Sequence, residues 1–192
     1  MRVAPPLAAL DALKIYALKT SPAFEAALYS GLRLAGDADA YEKPVHEFSK
    51  ALGVAFQILN DLKDWQGDSD NKLLSGQDAL AARPTLLLAL ALDGSTPDNK
   101  AELLAILAGK GPSDRDVKVA RVRVLFTRAG VFAKAEKLVE KYRAKAESIA
   151  DATEPVELRE LLYYLVDTVL DRPSLTVDPE PALHQLLPAV SR

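Results

Sequence analysis

Apolar residues recur at helical spacing along most of the chain, and proline or glycine interrupts the pattern at intervals. Between these breaks alanine, leucine, glutamate and lysine dominate and runs of β-branched residues are absent, which favours helices over strands. A proline can open a helix and a glycine can close one, so these residues set most of the expected boundaries. The pattern predicts eight helices, over residues 5–19, 22–35, 44–66, 84–92, 98–108, 114–128, 130–152 and 155–171.

Two stretches fall outside this helical pattern. Residues 67–83 form a polar connection, and a loop of that length inside a compact domain is often functional. Residues 173–192 hold four prolines and are expected to be extended or mobile. We therefore predict one all-α domain, or part of one, over residues 1–172, followed by a proline-rich tail.

The predicted helix over residues 44–66 carries one narrow polar stripe. At about 100° per residue, four polar side chains fall on a single face: Gln57, Asn60, Asp61 and Asp64. Apolar residues cover most of the remaining circumference, which is typical of a buried helix. Because unpaired buried charge is costly, these side chains are expected to face a wet cavity, a cation or a ligand. The alternative is a surface helix with a solvated acidic face, which Lys63 on the apolar side favours.

Composition narrows the possible functions. The 192 residues are 49% apolar and 27% charged, as in an ordinary globular domain. A net charge of −3 provides no basic field for nucleic acid or an anionic membrane. The absence of cysteine excludes disulfides and thiolate chemistry, and His46 and His184 are too isolated for a zinc site. The longest apolar run, residues 85–92, is too short for membrane insertion, and no signal peptide is evident, so a cytoplasmic protein is expected.

The run from Gly53 to Asp64, G-x-x-F-Q-x-x-N-D-x-x-D, resembles the second aspartate-rich motif of trans-isoprenyl diphosphate synthases, the polyprenyl synthetase family. Shorter motifs resemble others of that family and occur in the family's order: Lys19-Thr20 with Phe24, Gly67-Asp68, Gly76 with Asp78, Arg83-Pro84-Thr85-Leu86, Gly130 and Arg172. Each is weak alone, but together their spacing over residues 7–172 is specific.

The resemblance implies an isoprenoid-synthase-type helical bundle around a central cavity. Members of this family join isopentenyl diphosphate to an allylic diphosphate, which is bound by Mg²⁺ between two aspartate-rich motifs on facing helices. Magnesium prefers carboxylate, water and phosphate oxygens. It draws charge from the diphosphate as the C–O bond breaks, and the alkene of isopentenyl diphosphate attacks the allylic cation. A prenyltransferase of this kind needs no nucleophilic side chain.

The resemblance also implies roles for individual residues. Asp61 and Asp64 match motif aspartates and are the expected metal ligands, whereas Asn60 replaces the first aspartate and offers an uncharged amide oxygen. Three residues are expected to face the allylic cation and its diphosphate: Lys19, Thr20 and Gln57. Without the resemblance, Lys19 is equally well read as a charge that favours the C-terminal end of a helix dipole.

Two further residues are expected to bind phosphate. Arg83 replaces the lysine of the family's K-P-T-L motif, and arginine binds phosphate well. Another family lysine aligns with Leu74, and Lys72, two residues earlier, is the candidate substitute. A solvated loop lysine is the alternative for Lys72. Trp65 is predicted to be a packing or cap residue.

The family's first aspartate-rich motif has no counterpart in the eighteen residues before Lys19. The resemblance therefore implies that the chain corresponds to the C-terminal half to two-thirds of a synthase, either a fragment or a chain completed by a partner. Members of the family are commonly homodimers. We expect that these 192 residues do not catalyse chain elongation alone.

Two other functions remain open at the level of sequence. A non-catalytic relative that binds or regulates is suggested by Asn60 and Leu74. A terpene cyclase would share the ionisation chemistry without adding an isopentenyl unit, but the Lys19-Thr20 and Arg83-Pro84-Thr85 motifs argue against it.

Overall fold

The structure, a computed structural model, describes residues 8–36, 38–66, 81 and 83–170. Within these ranges the secondary structure is entirely helical, which confirms the predicted all-α fold. A short 3-10 turn, Asp39–Tyr41, precedes the second of seven α-helices. The helices are α1 (Ala9–Ala35), α2 (Glu42–Gln66), α3 (Leu86–Gly94), α4 (Pro97–Leu107), α5 (Arg115–Arg128), α6 (Val131–Asp151) and α7 (Val156–Leu170).

Several sequence features lie outside the described residues, and the predictions made for them stay predictions. They are the proline pair that was expected to open the first helix, the loop motifs after α2 and the end of the chain: Pro5-Pro6, Gly67-Asp68, Lys72, Leu74, Gly76, Asp78, Arg172 and residues 173–192.

The predicted break at Ser21-Pro22 is wrong, because α1 continues through Pro22 as one helix of 27 residues. A proline inside a helix removes one backbone hydrogen bond and costs about 3 kcal/mol. Packing on both sides of Pro22 offsets this cost. Tyr16 is buried before it, and after it the ring of Phe24 meets Phe56 of α2 edge-on, with centroids 6.1 Å apart. The described residues therefore contain seven helices where eight were predicted.

From α2 onward, the helices begin and end within two residues of their predicted bounds. Side-chain caps explain three of these starts, because a side-chain oxygen that accepts a free backbone N–H stabilises the first turn. Thr85 accepts from Leu88 at 3.3 Å. Two further caps act in the same way, with Thr96 accepting from Asn99 at 3.4 Å and Asp114 accepting from Val117 at 2.9 Å.

Gly130 separates α5 from α6 with a φ of 67°. This left-handed conformation strains any residue that carries a Cβ atom, so glycine suits the tight turn. The turn folds α6 back so that it packs against both α2 and α5.

Helix α2 occupies the centre of the bundle, with α1 packed on one side and α6 on another, and α7 also contacts both α2 and α6. The short helix α3 packs against α1, α2 and α6, and six of its residues are buried. The largest fully buried side chains come from α2, α3, α4, α5 and α7: Phe48, Leu52, Ile58, Leu86, Leu87, Leu103, Leu125, Phe126 and Leu170. This core packs around the apolar circumference of α2, and two residues of the polar stripe, Gln57 and Asp61, contact α1.

Among the helices within residues 8–36, 38–66 and 83–170, none has the length and hydrophobicity that a membrane crossing requires.

Candidate functional site

The polar stripe of α2 lies beside the N-terminal half of α1. Asp61 is buried, with 6% of its surface exposed, whereas Gln57, Asn60 and Asp64 are half-buried. The Oδ2 atom of Asp64 is also buried within the protein. The stripe therefore does not form a solvated acidic face, which argues against the surface-helix alternative.

Asp61 takes part in a junction between three helices. The hydroxyl of Tyr16, on α1, donates a hydrogen bond to Asp61 Oδ2. The same hydroxyl accepts a hydrogen bond of 2.7 Å from the backbone N–H of Leu86, the first residue of α3. A single phenol thus joins α1, α2 and α3 at the carboxylate that was predicted to bind metal.

A second polar contact joins the same two helices one turn further along. Thr20 Oγ1 donates to Gln57 Oε1 at 3.2 Å, so the structure brings together two of the residues predicted to face substrate. The next point of contact is between Ser21 and Gly53, where a Cβ atom on the glycine would lie 2.9 Å from the Ser21 backbone nitrogen. The absence of a side chain at Gly53 lets the two backbones approach.

Two predicted phosphate-binding residues lie on the surface near this junction. Lys19 is exposed on α1, directly before Thr20. Arg83 is also exposed, three residues before Leu86 and therefore close in sequence to the Tyr16 bond. Both predicted phosphate-binding residues are therefore exposed cations that lie close in sequence to residues of the junction.

The C-terminal end of α2 is fixed by Trp65, which confirms its prediction as a packing or cap residue. Its indole lies 4.9 Å from the ring of Phe126 and 5.9 Å from that of Phe132, centroid to centroid. Arg123, on α5, donates to the Trp65 carbonyl oxygen and places its guanidinium 5.7 Å from the centre of the indole. A cation at this end of α2 satisfies a terminal carbonyl and complements the helix dipole.

The oxygen atoms of the stripe are of the kind that magnesium prefers. Asp61 and Asp64 are one helical turn apart, and Asn60 adds an amide oxygen beside them. Within the described residues, no group of three or more His, Cys, Asp or Glu side chains is placed to hold a metal ion. Mg²⁺, however, is usually bound through one or two carboxylates, with waters and substrate phosphates as the other ligands. The residues present therefore fit one side of a magnesium–diphosphate site.

Tyr16 and Arg123 were not identified as site residues from the sequence. Tyr16 falls three residues before Lys19 on the predicted first helix, where a tyrosine reads as an ordinary core residue. Arg123 is 58 positions away from the carbonyl that it contacts. Only the antiparallel pairing of α1 with α2 could have indicated Tyr16, and no local signal indicated Arg123.

With this geometry in place, comparison with known proteins defines the class of protein. Residues 8–124 match the family model described as polyprenyl synthetase. The chain belongs to the polyprenyl synthetase family. That match covers α1 to α5 up to Val124, and so includes the polar stripe, both of its α1 partners and the start of α3.

Individual relatives agree with this assignment. The chain is 31% identical to the nonaprenyl diphosphate synthase of Mycobacterium tuberculosis over 161 residues, which are 83% of this chain and 47% of that protein. It is 33% identical to the octaprenyl diphosphate synthase of Escherichia coli strain K12 over 102 residues, which are 52% of this chain and 31% of that protein. The chain therefore spans about half, or less, of the relatives that it matches.

A solved structure gives the same result for the fold. A polyprenyl synthase from Caulobacter crescentus, crystallised with calcium and isoprenyl diphosphate, superposes with a TM-score of 0.73 and 26% identity. The superposition covers 86% of this chain and 50% of that one. The helical bundle implied by the sequence resemblance is thus confirmed.

Proposed function

We propose that the whole protein to which this chain belongs is a magnesium-dependent prenyltransferase. It condenses isopentenyl diphosphate with an allylic diphosphate to give a longer isoprenyl diphosphate. The observation that carries the proposal is the half-buried stripe of α2, held against α1 by the Thr20–Gln57 and Tyr16–Asp61 hydrogen bonds, in a chain of the polyprenyl synthetase family.

In this proposal Asn60, Asp61 and Asp64 supply the metal ligands of one side of the site. Bound magnesium would draw charge from the diphosphate as its C–O bond breaks. The side chains themselves hold the ligand oxygens in place, since α2 is enclosed by α1, α6 and α7. Groups that are preorganised in this way stabilise charge more strongly in a site that excludes water than in one open to solvent.

The other predicted residues bind and orient substrate. The Gln57 carbonyl oxygen accepts from Thr20, and in this proposal the Gln57 NH₂ group donates to a diphosphate oxygen. Lys19 and Arg83 carry positive charges that attract diphosphate oxygens, with Arg83 able to contact two oxygens at once. The apolar side chains around the stripe exclude water from the carbocation in this proposal.

The remaining carboxylates come from a second aspartate-rich helix in this proposal. Either a longer form of the chain or a partner chain supplies it, and assembly as a homodimer in the cytoplasm is the expected setting. Lys72 belongs to the same proposal as a further phosphate-binding residue, although it lies outside the described residues.

The direct test is an elongation assay on the whole protein that carries this chain. Isopentenyl diphosphate and a series of allylic diphosphates would be incubated with Mg²⁺ or with excess chelator, and the products separated by chain length. We expect elongated isoprenyl diphosphate only with Mg²⁺, and no product from the 192-residue chain alone. If the whole protein gives no elongated product with any primer, the proposed activity is wrong.

Asn60 favours a second candidate function, a non-catalytic relative that binds diphosphates. An amide at the first position of the motif lowers the negative charge available to the metal.

Restoring the charge with Asn60→Asp is expected to strengthen binding of Mg²⁺ with inorganic pyrophosphate on the order of tenfold, because cation affinity follows ligand charge. Isothermal titration calorimetry measures this, and Asn99→Asp on α4 adds the same charge away from the stripe as a control. If the Asn60→Asp variant and the wild type bind Mg²⁺ with pyrophosphate equally well, Asn60 is not part of the metal site.

A further inference from the structure

The hydroxyl of Tyr16 has a defined direction in its hydrogen bonds. A backbone N–H can only donate, so Tyr16 must accept from Leu86 at 2.7 Å. The single proton of the phenol is then available for Asp61, whose Oδ2 accepts it. An ionised carboxylate is a pure acceptor, and this arrangement therefore fits the charged form of Asp61 that a cation requires.

The Tyr16–Asp61 hydrogen bond also fixes the position of the carboxylate. Tyr16 and Asp61 are 5% and 6% exposed, and Leu86 is fully buried. Leu86 opens α3 directly after the Arg83-Pro84-Thr85 segment. The phenol thus ties the carboxylate on α2 to the end of the segment that carries Arg83.

We propose that Tyr16 is a positioning residue for the diphosphate–magnesium site, holding the Asp61 carboxylate in register with the Arg83-Pro84-Thr85 segment. The proposal rests on the function proposed above and goes beyond it by assigning a role to a residue on a third element. Tyr16 does not touch substrate in this proposal. It acts by fixing which oxygen of Asp61 is held by the protein and how Arg83 is placed relative to it.

Groups that hydrogen-bond to metal ligands commonly change metal affinity by about 10- to 100-fold when they are removed. In the variant Tyr16→Phe the ring stays in the core and only the hydroxyl is lost. We expect the variant to bind Mg²⁺ with inorganic pyrophosphate about 10-fold or more weakly than the wild-type chain. Titration calorimetry on the full 192-residue chain measures this, under conditions where circular dichroism shows both proteins folded.

Tyr163→Phe provides the matched control. Tyr163, on α7, donates to Asp151 Oδ1 at 2.6 Å, and this bond is the main reason why the pKa of the Tyr163 phenol is raised. The control therefore removes the same kind of tyrosine–aspartate hydrogen bond far from the stripe in sequence. We expect it to bind Mg²⁺ and pyrophosphate as the wild type does.

The outcomes separate the two proposals. If the wild-type chain binds and Tyr16→Phe binds equally well, the positioning role is wrong and the proposed function stands. If the wild-type chain shows no binding of Mg²⁺ with pyrophosphate, the proposed metal site is wrong and the positioning role falls with it. Weaker binding by Tyr16→Phe, together with unchanged binding by Tyr163→Phe, supports the proposal.

A measurement on the unaltered chain provides a test that does not depend on a variant folding. Exchange of the Leu86 amide hydrogen, followed by NMR, should slow about 10-fold when Mg²⁺ and pyrophosphate are added, because the acceptor phenol is then held by a loaded Asp61. The Leu103 amide, inside α4, serves as the reference. Equal effects of the ligand on Leu86 and Leu103, or no effect on Leu86, would overturn the coupling between Asp61 and α3.

Discussion

Replacing both Asp61 and Asp64 with asparagine is expected to reduce prenyl transfer by the whole protein by about 100- to 1000-fold. Asparagine keeps the size and one oxygen of aspartate but removes its charge. The loss therefore reports on the two negative charges that hold the cation, rather than on packing along α2. Initial rates measured over a range of Mg²⁺ concentrations would show whether the loss lies in metal binding, since added Mg²⁺ then restores part of the rate.

The control for this pair is Glu47→Gln, which removes an acidic charge from the same helix about three turns before the stripe. It is expected to retain the wild-type rate. Wild-type activity in the Asp61→Asn, Asp64→Asn double variant would show that the stripe is structural and would overturn the assignment of these residues as metal ligands.

The variant Gly53→Val is expected to lose about 3 kcal/mol of unfolding free energy, the upper end of the range for overpacking. A Cβ atom at Gly53 would lie 2.8 Å from Ser21 Oγ, 2.9 Å from its backbone nitrogen and 3.0 Å from its Cα. Because two of these three atoms belong to the backbone, α1 itself must shift to make room. That shift would also disturb the Thr20–Gln57 and Tyr16–Asp61 hydrogen bonds on the same side of the helix pair.

Gly31→Val is the matched control, because Gly31 lies inside α1 and has nothing within 4 Å of its added Cβ position. Valine has a somewhat higher helix propensity than glycine, so the control should be neutral or slightly stabilising. Denaturant unfolding curves compare the two variants. Equal stability of Gly53→Val and Gly31→Val would show that α1 and α2 do not depend on close approach at Gly53.

Most of the fold could be predicted because the signals are local. Thr96 and Asp114 cap their helices, and Gly130 takes the left-handed conformation between α5 and α6, so sequence neighbours alone define these boundaries. Pro22 shows the limit of such signals. Its effect on the helix is local, but the packing that outweighs it comes from α2, more than 30 residues later in the chain.

The candidate site shows the same difference between local signals and contacts of distant helices. The stripe itself depends on helical spacing, and the structure places Gln57 and Asp61 together against α1, with Thr20 as a partner. Tyr16 and Arg123 could not be predicted, because each acquires its role only when distant helices meet. The metal and substrate roles, the dimer, the cytoplasmic location and the division at residue 172 stay predictions.

Helix α3 is expected to resist local opening. Six of its nine residues are buried, so the helix is enclosed on nearly all sides. Amides beyond the first turn of such an element exchange mainly through global unfolding, whereas helix ends and exposed segments open at lower free energy. Local opening is therefore expected to stop within the first turn of α3, which Thr85 caps. Beyond that turn, α3 is expected to be a fixed support for the helices that pack against it, α1, α2 and α6.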